Sequence, residues 1–297
     1  MRELKARPCT TELYELGESC RWDDVRGELY WVDILSGRFF RATADDARVD
    51  IVSEYHVEGF VSAVAPLSDR DCGWIVAENQ SISLLDERGA LRELSRPEAH
   101  REKVVRMNDG AADPWGRFWV GSMAFDSSPG QGNLYRYHES TGAEVVLGGT
   151  TISNGLGWSP DCSAMYYVDS GPATLSVFAL DPAGEISSRR VLVQFDKREG
   201  EPDGLCVDAD GAIWVALWGG YQVRRYSPDG QLLARVDLPT AQPSSCAIGG
   251  SNATTLYVTT AREDMTESAL AVEPDAGRLF CVDVGVPGLP LNSYRPS

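Results

Sequence analysis

The sequence predicts an all-β chain folded as a six-bladed β-propeller of four-stranded antiparallel blades, and three observations carry that expectation. A short aromatic and β-branched phrase recurs six times along the chain: LYWVD at Trp31, GWIVA at Ile75, RFWVG at Trp119, MYYVD at Tyr167, AIWVA at Trp214 and LYVTT at Tyr257. Successive anchors lie 44, 44, 48, 47 and 43 residues apart, the length of one propeller blade. No segment carries a long apolar stripe at helical spacing, and the 29 glycines and 16 prolines would interrupt most helices.

Within each repeat the order is regular. An apolar segment leads into a turn such as DPWGR, SPDCS or DADGA; the anchor phrase follows, and then a further strand such as NLYRYH or QVRRYS. Asp-Gly and Pro-Asp turns between alternating segments are hairpin chemistry, because Gly tolerates positive φ and Asx side chains bond nearby backbone. The repeats run from about Leu13 to about Val284 without a linker, so residues 1–297 are expected to form a single propeller domain. Ring closure is expected from an N-terminal strand around Glu12 to Leu16 in the last blade. The regular placing of Trp31, Trp119, Tyr167, Trp214 and Tyr257 assigns them to packing between blades, whereas Trp218 is the ring expected to face the channel.

Composition narrows the function. The chain has 27 Lys and Arg against 44 Asp and Glu, a net charge of −17, with no dense basic run. That balance excludes a phosphate-tracking nucleic-acid binder and would be repelled by an anionic membrane surface. Seven scattered cysteines without a CxxC pair read as reduced thiols. The N-terminal MRELKARPCT lacks a signal-peptide core and no stretch is long enough to span a bilayer, so a cytoplasmic location is expected. Oligomeric state is left open.

Several catalytic signatures are absent: GxSxG, HExxH, GxxxxGK[ST] and GxGxxG after a strand. The three histidines, His56, His100 and His138, are not spaced as a metal pair and are assigned structural or exposed positions. The informative residues recur at corresponding places in different repeats, just before the expected innermost strand of a blade. They are Glu18 in LGESCRW; Arg106, Asn108 and Asp109 in VRMNDGAADPWGR; Asn154 in TISNGLGWSPD; and Asp203 in EPDGLCVDADG. In a propeller these positions converge on the axis. Two carboxylates and an amide oxygen make a hard oxygen site suited to Ca²⁺, Mg²⁺ or Mn²⁺. The competing reading is that the NG and DG pairs mark tight turns, with Asp109 ordering its own turn.

At these residues the sequence resembles the SMP-30/gluconolactonase/LRE (regucalcin-like) family, from LGESCRW through RMNDGAADPWGRFWVGSM, SNGLGWSPD and PDGLCVDADGAIWVA to TTAREDM. The resemblance implies a sugar lactonase with one divalent cation in its channel, Ca²⁺ first and Zn²⁺, Mn²⁺, Mg²⁺ or Fe²⁺ as alternatives, held by Glu18, Asn154 and Asp203. It implies substrate contacts from Arg106 and Asn108, and from Asp126, which stands where some relatives carry a longer Glu. The Ser-Cys pair after Glu18 departs from the family's usual Gly or Ser followed by Pro.

The implied chemistry is hydrolysis of an aldono-1,4- or 1,5-lactone to the aldonic acid, the cation polarising the carbonyl and Asp203 assisting the attack of water. The expected partner is a small-molecule sugar lactone. The alternative from another class is a non-catalytic calcium-binding or ligand-sensing propeller; a hydrolase for another ester, such as an organophosphate, is a third.

Overall fold

The computed structural model describes residues 1–45, 48–99 and 104–296; His100 lies outside them. Six sheets form the six blades of a β-propeller. Each blade's innermost strand opens its repeat: Gly17–Asp23, Val61–Pro66, Val105–Ala112, Ser153–Trp158, Glu201–Val207 and Pro243–Gly249. The anchor phrases form the second strands, in which Trp31, Ile75, Trp119, Tyr167, Trp214 and Tyr257 are all buried. One short α-helix is present among the described residues, Glu267–Val272, between two strands of the last blade and capped by Thr266 Oγ1.

The aromatic anchors pack in the clusters between neighbouring blades, as their strand positions predict. Trp119 faces Trp158 of the next blade edge-on, and Trp31 stacks on Phe40. Truncating such a buried Trp to Ala typically costs about 3–5 kcal/mol. The turn preceding the anchor supplies its polar partner. Asp113 Oδ2 accepts from Trp119 Nε1 at 2.8 Å and Asp208 Oδ2 from Trp214 Nε1 at 2.8 Å, while the other oxygen of each accepts two N–H groups of its own turn. One carboxylate thus fixes the hairpin and satisfies a buried indole.

Ring closure differs from expectation. Arg7–Pro8 pairs antiparallel with Phe280–Asp283 as the outer strand of the last blade, and Arg2–Lys5 adds a parallel fifth strand to the blade before it. Residues 12–16 form no strand there; the N–H groups of Glu15 and Leu16 donate instead to the Asp33 carboxylate at 3.3 and 3.0 Å. Leu16 makes one bridge with Ala261 of the last blade, and backbone hydrogen bonds from Tyr14 N to Gly277 O and from Arg262 N to Glu15 O also join this segment to it.

All six innermost strands share one irregularity. Their pairing with the second strand shifts register near the first residues, between Glu18 and Arg21, Val61 and Ala63, Met107 and Gly110, Ser153 and Leu156, Pro202 and Leu205, and Pro243 and Ser245. A bulge kinks the strand and re-aims the side chains beside it. The same irregularity recurs near the start of the innermost strand in all six blades.

Candidate active site

A cavity of about 290 Å³ opens at this bulged end of the channel, and its lining includes Glu18, Arg106, Asn108, Asn154, Asp203 and Trp218. Five sequence-selected residues from four blades therefore meet in one place, together with the ring assigned to the channel. Glu18, Arg106, Asn108, Asn154 and Asp203 are all buried.

The segments that carry two of them are pinned by repeat-related aspartates. The final Asp of the LYWVD phrase, Asp33, holds the Leu16 N–H two residues before Glu18. Its counterpart in MYYVD, Asp169, accepts from Ile152 N at 3.0 Å, two residues before Asn154, and from Thr151 N. Asn154-Gly155 and Asp203-Gly204 lie in strands and are not turns, which corrects the turn reading for these two pairs. Gly155 and Gly204 lie within innermost strands, where a Cβ on Gly155 would stand 2.7 Å from Asp203 O and one on Gly204 would stand 2.8 Å from Ser244 O. Glycine is required because neighbouring strands approach closely near the axis.

Asn154 Nδ2 donates to Ser170 Oγ at 3.1 Å, and Ser170 donates onward to Pro202 O at 2.6 Å. This fixes the amide orientation and leaves Asn154 Oδ1 buried without a hydrogen-bond partner among the described residues; Asp203 Oδ1 is in the same condition. Buried acceptors are ordinarily paired, so two orphans beside a second buried carboxylate, Glu18, call for a donor or a cation. Among the described residues, Glu18 Oε2 accepts only the adjacent Ser19 N–H, at 3.0 Å.

Electrostatics agree with that demand. Burial, reinforced by the charge of Asp109, pushes the Glu18 carboxyl up to about 8, with the Ser19 N–H and Arg106 working against it. Burial and the charges of Glu18 and Asp109 likewise drive Asp203 well above the ordinary carboxylate range. A divalent cation would relieve both. The donors are hard oxygens, which fit Ca²⁺, Mg²⁺ or Mn²⁺ better than a thiophilic metal. Among the described residues there is no metal-type cluster of three or more His, Cys, Asp or Glu; the set has two carboxylates, and its third donor is the Asn154 amide.

Arg106 and Asn108 form the polar wall. Arg106 Nη1 donates to Asn108 Oδ1 at 2.6 Å and to Met107 O at 3.0 Å, and Asn108 Nδ2 donates to Ser153 O at 3.0 Å. Asn108 is thereby a brace for the guanidinium. Burial pulls the Arg106 proton affinity down, while Glu263, Glu18 and Asp203 support its charge. Asp126 stands apart: it is exposed, outside the cavity lining, and its Oδ1 accepts from Ser128 N at 3.1 Å in a short loop turn.

Asp109 does more than order its own turn. It is a buried strand residue whose Oδ1 accepts from Gly110 N at 2.7 Å and from Arg21 Nη2 at 3.0 Å, and its charge acts on both Glu18 and Asp203. Arg21, which sequence reasoning passed over, borders a second, largely apolar cavity of about 300 Å³ on the other side. Glu263 and Gln242 were also missed; both line the site from the last blade. Glu263 stood in view within TTAREDM, but nothing in its spacing marked it as facing the axis. His56 pairs with Glu54 and His138 contacts Ser140, both on the surface.

Residues 16–262 match the SMP-30/Gluconolactonase/LRE-like region. The chain belongs to this family. It is 37% identical to a 6-deoxy-6-sulfogluconolactonase of Pseudomonas putida over 92% of each chain, and 33% identical to regucalcin of Danio rerio over 99% of each. Among solved structures it resembles a regucalcin from Agrobacterium tumefaciens, described as a calcium-binding protein, with a TM-score of 0.90 at 28% identity, covering 99% of this chain and 98% of that one. Lactonases are thus among the relatives of this family member. No helix among the described residues is long and apolar enough to cross a membrane.

Proposed function

We propose that this protein is a divalent-metal-dependent lactonase that opens an aldono-1,4- or 1,5-lactone to the aldonic acid. The observation that carries the proposal is the pair of buried, unpartnered oxygens, Asn154 Oδ1 and Asp203 Oδ1, beside Glu18 in a cavity whose opposite wall is a braced guanidinium. Similarity to a protein named for lactone hydrolysis and to one described as binding calcium supports the same reading.

Glu18, Asn154 and Asp203 would hold the cation, which when bound supplies Lewis acidity at the lactone carbonyl. Water adds to the carbonyl carbon, the acyl C–O bond of the ring breaks, and the ring oxygen leaves as a hydroxyl. Asp203 takes the proton of the attacking water and returns it to the departing ring oxygen. Arg106, with Nη1 tied to Asn108 and Met107, directs its remaining N–H groups to substrate oxygens and steadies the carboxylate that forms. Asn108 acts by holding Arg106. No protein nucleophile is needed.

The proposal includes one domain, because the N-terminal strand Arg7–Pro8 closes the ring on the last blade. It also includes a cytoplasmic setting, which suits seven free thiols. The test is a pH-indicator assay on a panel of aldonolactones, with spontaneous hydrolysis subtracted. Turnover of at least one lactone above background supports the reading; cation binding without turnover of any would favour a binding propeller.

A further inference from the structure

Away from Glu18, Asn154 and Asp203, the cavity offers an unequal set of groups. Arg106 is the one Lys or Arg in its lining and makes no ion pair among the described residues. Glu263, Glu201 and Asp264 line the same space, and Glu201 is already paired with Lys197 at 3.0 Å. Of the carboxylates supporting the Arg106 charge, Glu263 acts most strongly.

Glu263 is held by its backbone. Gln242 Nε2 donates to Glu263 O at 3.0 Å, Ala261 N donates to Gln242 O at 3.0 Å, and Arg262 N donates to Glu15 O at 3.0 Å. The same arrangement leaves Gln242 Oε1 buried without a partner. The last blade therefore presents two acceptors, a carboxylate and an amide oxygen, to whatever lies beside Arg106. Hydroxyl groups bring donors to such a wall. A phosphate or sulfonate brings acceptors and negative charge, and would meet a guanidinium whose charge Glu263 already offsets.

We propose that Glu263 is a specificity-determining residue: with Gln242 it accepts hydrogen bonds from the hydroxyls of the substrate, and its charge opposes lactones that carry a phosphate or sulfonate. The inference rests on the lactonase reading and adds to it the electrical character of the substrate tail.

The experiment compares kcat/KM for D-glucono-1,5-lactone and its 6-phosphate in the cation-loaded wild-type protein, Glu263→Gln and Glu263→Asp. The wild type should favour the neutral lactone by about tenfold or more, the scale of one opposing charge at close range in a partly solvated site. Glu263→Gln should narrow that ratio about tenfold, mainly through KM for the phosphorylated lactone, and Glu263→Asp should largely retain it. Raising ionic strength should shrink the discrimination in the wild type and leave the Gln variant little affected, a response that a purely structural role would not give. A wild type that prefers the phosphorylated lactone, or a ratio unmoved in Glu263→Gln, overturns the role of Glu263 while leaving the lactonase reading intact. If none of the proteins opens either lactone, the lactonase reading falls and takes this inference with it.

Discussion

Asn154 and Ser170 are joined by a 3.1 Å hydrogen bond in which the amide nitrogen donates to the hydroxyl, and this one contact turns the amide oxygen away from the protein's own donors. Ser170→Ala should lower affinity for Ca²⁺ or Mn²⁺ by about tenfold, as loss of a partner that orients a ligand generally does. Isothermal titration on chelated protein measures it; unchanged affinity would show that Asn154 needs no such orientation.

Glu18 is buried with a carboxyl raised to about 8, so in the metal-free protein its ionisation opposes folding. The folded state holds that proton more tightly than the unfolded state. The stability of chelated protein should therefore fall as pH rises from the unfolded value near 4.5 towards 8, and level off above it. Glu18→Gln should flatten that part of the melting profile and melt higher than wild type at pH 8 without metal. It should lose the stabilisation that added cation gives the wild type. A parallel pH profile for the two proteins would contradict this account.

Arg106 is braced and makes no ion pair among the described residues, so its replacement should disturb binding more than fold. Arg106→Ala should reduce kcat/KM by about 10- to 100-fold, the loss expected for a charge-assisted contact in a desolvated site. Steady-state kinetics with circular dichroism distinguishes this from unfolding, and unchanged kinetics would remove Arg106 from the substrate wall.

Gly155 has no space for a side chain, since a Cβ would stand 2.7 Å from Asp203 O and 2.8 Å from Leu205 N. Gly155→Ala should destabilise the protein by about 1–3 kcal/mol, the usual penalty of overpacking, and weaken cation binding by displacing Asp203. Chemical denaturation with a metal titration checks both effects.

The propeller was legible because each blade repeats its second strand almost literally. LYWVD, RFWVG and AIWVA carry the buried anchors, and their spacing sets the blade count. Glu18, Asn154 and Asp203 were legible because they recur at one place in the repeat, although the bulges that aim them inward leave no mark in composition. Arg21, Gln242 and Glu263 were hidden for a different reason. Their roles depend on contacts between remote segments, such as Arg21 with Asp109 and Gln242 with the backbone of Glu263, which no local pattern encodes. Closure by Arg7–Pro8 was hidden likewise, because it depends on pairing with Cys281 and Phe280 at the far end of the sequence.

The measurement closest to the central claim is lactone turnover by chelated protein as a divalent cation is titrated back, with binding followed in the same samples. Activity should be absent after chelation and return in proportion to one bound cation per chain, and Asp203→Ala should neither bind the ion nor turn over. Full activity in the chelated protein, or activity that survives in Asp203→Ala, would contradict the account.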